Sequence, residues 1–130
     1  MKTPTGIRLV VAVAALAMAA GGCSRSAQSY LERGDAQLAK GNVDAAVLEY
    51  RNAVAKDAMF APARVKLAEA YLKQGNTAGA IAEAVRAADL LPKDVGAQLK
   101  AGALLLAARQ PGDAKDRADK ALYASKEHRS

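Results

Sequence analysis

With 130 residues, one cysteine, one histidine and a formal net charge of +6, the chain has room for one domain and few residues suited to metal or redox chemistry. Hydrophobic residues make up 52% but aromatics only 4%, so small side chains, alanine above all, must form the interior. Such residues suit closely spaced helices better than a thick layered core, and with β-branched runs scarce outside Val10 to Val13 the fold class is all-α.

In chain order, Met1 to Gly22 reads as a targeting segment that takes no part in the fold. Lys2 and Arg8 form its positive start. Leu9 to Ala20 is an unbroken apolar run of 12 residues, suited to a signal segment and short for a membrane span. Without Lys2 and Arg8 the chain keeps 17 basic residues against 13 acidic ones, or +4. The remaining lysines and arginines alternate with acids along helix faces, the pattern of a solvated surface rather than of a nucleic-acid site.

Ala19-Ala20-Gly21-Gly22-Cys23 ends the leader with small residues before a cysteine. The stretch resembles the lipobox of bacterial lipoproteins, with Gly22 before the cleaved bond and Cys23 after it. It departs from that pattern at Ala20, where leucine is usual, so ordinary signal cleavage is the alternative. The resemblance implies a diacylglyceryl thioether on Cys23, and several acyl chains anchor stably where one is marginal. Ser24, in place of the aspartate that retains such proteins at the inner membrane, implies the periplasmic face of the outer membrane. Residues 23–26 then form a lipidated linker.

From Ala27 onward, three frames align at a period of 34 residues without a gap. Gly34, Ala68 and Gly102 form one small-residue column. Gly41 and Gly75 close turns, with Arg109 departing in the third frame. Ala46, Ala80 and Ala114 form another column, and so do Tyr50, Ala84 and Ala118. A turn-plus-helix unit recurring at this period signals a repeat array. Helices are expected at about 27–40, 44–57, 61–74, 78–90, 95–108 and 112–124, in units of about 27–60, 61–94 and 95–124, with 125–130 a polar tail. Pro62 and Pro111 sit where a helix starts, the position at which proline's missing N–H costs nothing. Lys115, Asp116, Arg117, Asp119 and Lys120 make the last helix polar enough to serve as a cap.

The frames resemble the tetratricopeptide repeat (TPR), most closely in the second unit through Leu67-Ala68, Tyr71, Ala80, Ala84, Ala87 and Pro92. The first unit carries Tyr30, Gly34, Ala46, Tyr50 and Ala53, with Arg33 where leucine is usual. The resemblance implies a non-catalytic α-solenoid that holds a protein or peptide partner in a groove lined by the first helix of each pair. By register, Leu31, Val65 and Leu99 form one groove column and Leu38, Leu72 and Leu106 another. Asp35, Glu69 and Ala103 lie between them, flanked by Lys66, Lys73 and Lys100. Packing between repeats is the competing role for these leucines. TPR domains that clamp chaperone carboxylates have asparagine where Asp35 and Glu69 stand, so that activity is not carried over. No catalytic residue, metal, cofactor, small-molecule substrate or nucleic acid is expected.

The combined expectation is a lipid-anchored scaffold of the bacterial cell envelope, serving envelope or secretion-system assembly. Tyr30-Leu31-Glu32-Arg33-Gly34-Asp35 looks most like the TPR lipoproteins of exopolysaccharide and PEP-CTERM sorting systems. The alternative is the N-terminal adaptor of a larger TPR protein in exopolysaccharide export or protein sorting, with or without an enzymatic domain.

Overall fold

The computed structural model describes residues 24–129; the leader and Cys23 fall outside them. Six helices follow one another among the described residues, α1 (Ala27–Ala39), α2 (Val43–Lys56), α3 (Ala61–Gln74), α4 (Thr77–Leu90), α5 (Val95–Ala107) and α6 (Pro111–Glu127). Their starts match the expected ones to within a residue. The last helix differs at its end: Ser125 to Glu127 continue α6 where a polar tail was expected. Ala124 is buried and Glu127 reaches Lys93 at 3.3 Å, so the final turn packs against the preceding unit.

Local chemistry sets the helix ends. Ser26, Asn76 and Asp94 each accept a hydrogen bond from the backbone N–H three residues on, at 3.1, 2.9 and 2.8 Å, satisfying an otherwise orphaned donor. Asn42 stands at the start of α2, but its amide donates to Gln37 Oε1 at 3.0 Å and caps nothing. Gly41 and Gly75 turn the chain in the left-handed region, at φ 78° and 82°.

Each odd-numbered helix packs chiefly against the even-numbered one after it, and α2–α3 and α4–α5 contacts join the three hairpins. Close approach requires glycine at Gly34, where a Cβ would lie within 2.9 Å of Tyr50 Cζ. The ring of Tyr50 therefore fills the first unit, in a core with Leu31, Ala46, Val47, Ala53, Ala63, Leu67 and Ala70. Burying a side chain such as Leu67 contributes about 2 kcal/mol. A second, smaller core joins Ala68, Ala84, Ala88 and Ala101, and there alanine stands where the first unit has tyrosine.

Candidate functional site

The 34-residue register places Asp35 on α1 and Glu69 on α3 at equivalent points, and likewise Lys66 on α3 and Lys100 on α5. The structure pairs them across successive units. Lys66 Nζ lies 3.7 Å from Asp35 Oδ1, and Lys100 Nζ lies 2.5 Å from Glu69 Oε1. Each side chain is about two-fifths exposed, so each rung adds well under about 1 kcal/mol. Their consequence is geometric: they fix the spacing of charges along the first-helix face. Tyr50 anchors the first rung by donating its hydroxyl proton to Asp35 Oδ1 at 2.7 Å. Burial pushes the Tyr50 phenol well above its usual range, and the bond to the Asp35 carboxylate pushes it further.

The leucine columns separate by unit. Leu31, expected on the groove wall, is only 8% exposed and belongs to the first core, because α3 covers it. Leu38 is half-buried and packs against that same core. Val65 is half-buried in the cleft between α3, α4 and α5. Leu72, Leu99 and Leu106 are 42%, 52% and 61% exposed. Exposure thus rises along the chain at equivalent register positions, and the columns serve inter-unit packing wherever a following helix covers them. Leu72 and the exposed Lys73 remain as open surface on α3. Leu99, Ala103 and Leu106 line a depression of about 430 Å³ with Pro111, Ala114 and Ala118 of α6.

One polar cluster escaped the sequence reading. Arg117 was counted among the residues that make the last helix polar enough to serve as a cap, yet it is buried. Its Nη1 donates to Asp89 Oδ1 at 2.7 Å and to Gln98 Oε1 at 3.4 Å. Gln98, also buried, donates through Nε2 to the carbonyls of Ala88 and Leu91 at 2.7 and 3.2 Å. This network fastens α6 and α5 to α4. A signal was present: the register column of Arg117 holds Glu49 and Glu83 in the earlier units, where they take Arg33 and Arg64 at 2.7 Å. A charge reversal in a column already committed to ion pairs marks a changed partner rather than a solvent face. Among the described residues, no group of three acidic, histidine or cysteine side chains is placed to hold a metal.

Stacked helix hairpins joined by one repeating interface define a helical repeat protein. The tetratricopeptide repeat model matches residues 11–61 and 31–95, together more than half of the sequence, and the chain belongs to the TPR family. No curated protein matches it. Among solved structures it resembles MamA, with a TM-score of 0.71 and 23% identity over 79% of this chain. It spans 60% of that MamA chain. It also resembles the second TPR of Spaghetti (RPAP3), bound to the HSP90 peptide SRMEEVD, with a TM-score of 0.66, 23% identity, and 77% and 93% of the two chains covered. A third is YrrB, a TPR protein with an unusual peptide-binding site, at 0.65 and 16% identity, covering 80% of this chain and 54% of that one. At these identities the likeness establishes the fold.

Proposed function

We propose that the chain is a non-catalytic interaction scaffold, anchored by lipid at Cys23 to the bacterial envelope at the periplasmic face of the outer membrane, holding a protein or peptide partner along its first-helix face. The carrying observation is the open apolar and basic surface at Leu72 and Lys73, beside the fixed rungs Asp35–Lys66 and Glu69–Lys100. Apolar side chains left open in a row tend to mark an interaction surface. Peptides bound by similar TPR folds support the reading. Asp35 and Glu69 argue against a C-terminal carboxylate as the feature recognised, since both lysines nearest them are already engaged. Apolar contact then supplies affinity, while Lys73 speeds encounter with acidic flanks.

The test is site-specific photocrosslinking in living cells from position 72, with the exposed position 82 on α4 as control. A discrete adduct from 72 that is absent from 82, with co-purification of the same adduct partner lost in a separate Leu72→Asp variant at an unchanged thermal midpoint, is the expected result. Equal adducts from both positions, or unfolding of Leu72→Asp, would overturn the groove.

A second reading draws on the exposed Leu99 and Leu106: these units are the adaptor of a longer array in protein sorting or exopolysaccharide export, with or without an enzymatic domain. Further in-frame repeats in the gene would favour it.

A further inference from the structure

The two clefts between successive units are built from equivalent positions, yet one is filled and the other is open. In the first, Leu31 and Tyr50 are buried in one core, with Tyr50 packed on Gly34 and Phe60 against that core, and the exposed Pro62 opens α3. The same register positions in the second cleft hold Val65, Ala84, Asp94 and Gly96 around Ala68. Each of these four side chains is replaced by a shorter or a polar one, while Ala68 adds a methyl and Leu91 stands where the first unit has Asp57. The result is a cleft of about 220 Å³ between α3, α4 and α5, lined by Val65, Leu91 and Ala97 above the buried Ala68, Ala84 and Ala87. Asp94 and Lys100 border it.

An apolar cavity of about 150 Å³ is enough to hold a benzene ring, so this one has room for an aromatic side chain. The chemistry at its edge is specific. In the first unit the ring hydroxyl of Tyr50 donates to Asp35. Glu69 occupies the Asp35 position in the second unit and is held at 2.5 Å by Lys100, one of the residues bordering the cavity. A phenol entering the cavity along the path of the Tyr50 ring therefore meets a carboxylate where Tyr50 meets its own.

We propose that the cleft between the second and third units is a receptor for a tyrosine side chain of the bound partner, taking in trans the place that Tyr50 takes in cis one unit earlier. The inference rests on the partner-binding reading above and adds the residue recognised. The partner supplies the ring, Val65, Leu91 and Ala97 supply the walls above Ala84 and Ala87, and Glu69 accepts the hydrogen bond of the hydroxyl. Lys100 holds Glu69 in place through their ion pair, and its side chain borders the cleft that the ring enters.

p-Cresol, the tyrosine side chain alone, serves as the probe, titrated into the full-length protein carrying ¹³C-labelled alanine methyls. Saturable shifts are expected at Ala84, Ala87 and Ala97, with none at Ala53 and Ala63, their counterparts in the filled cleft. Toluene, lacking the hydroxyl, should bind at least several-fold more weakly. The paired change Ala68→Gly with Ala84→Tyr recreates the first unit's glycine and ring, and it should abolish the shifts while raising the thermal midpoint. Ala84→Leu fills the same space without a ring and should also abolish them, whether or not the paired variant folds. Absence of saturation, equal shifts at Ala53 and Ala63, or shifts that persist in Ala84→Leu would each overturn the proposal. A crosslink from position 72 with no p-cresol site would sink this inference alone and leave the scaffold reading standing.

Discussion

Arg109 turns the chain from α5 to α6 with φ at 59°, the left-handed conformation that Gly41 and Gly75 supply in the earlier turns. A side chain with a Cβ costs roughly 1–2 kcal/mol there, partly offset because glycine loses more freedom on folding. Arg109→Gly should therefore raise stability by up to about 1 kcal/mol, read as a higher urea midpoint at unchanged slope; a lower midpoint would show that the arginine side chain holds the turn. Tyr50 gives the second residue-scale test, through pH. Its phenol keeps its proton in the fold far above the ordinary value of 10.0 at which the unfolded chain releases it. The unfolded state thus binds fewer protons above that pH, and stability present below about pH 10 is lost as pH rises beyond it. The slope approaches about 1.4 kcal/mol per pH unit from this group. Tyr50→Phe should lose about 1 kcal/mol at neutral pH with the Asp35 hydrogen bond, yet decline less steeply than the parent between pH 9 and 11. Parallel declines would assign the alkaline loss to other groups.

Helices were legible because their punctuation is local. Gly41, Gly75, Pro62 and Pro111 fix ends by backbone geometry, and the 34-residue spacing of Gly34, Ala68 and Gly102 fixes which faces meet. Ala80 falls where that frame requires, fully buried, while Ala82 two residues on is exposed. Ala80→Leu should overpack the pair α3–α4 and cost roughly 1–3 kcal/mol, whereas Ala82→Leu should stay within about 0.5 kcal/mol. Equal shifts of the urea midpoint would mean the frame is misplaced. The groove was less legible, for a physical reason. Leu31, Val65 and Leu99 share one register position, but burial there depends on whether another helix lies over it, and spacing within a helix carries no record of that. Arg117 was missed because a charge on a polar helix reads as outward, although the acids Glu49 and Glu83 in its column already turn toward arginines of the paired helix.

At the scale of the molecule, an array of this kind is stabilised unit by unit through neighbouring interfaces, and its two ends are chemically different. At the first unit, Ser24 Oγ accepts from Lys56 Nζ at 2.5 Å, tying the residue after Cys23 to the end of α2. At the third, Leu99 and Leu106 stand open. A lipid on Cys23 would accordingly hold the first unit against the membrane through the short linker 23–26 and leave the later units and the open cleft to reach a partner. The prediction is that mature protein begins at Cys23, carries acyl chains there and partitions with membranes, since several chains make insertion stable where a single one is marginal. Cys23→Ser should move the protein to the soluble fraction or leave the precursor uncleaved. Because Cys23 lies before the first helix, the same change should leave the thermal midpoint of a chain without its leader unaltered. Intact mass spectrometry decides the matter: an unmodified thiol at Cys23, or a mature N-terminus at another residue, would remove the anchor and with it the fixed orientation of the three units.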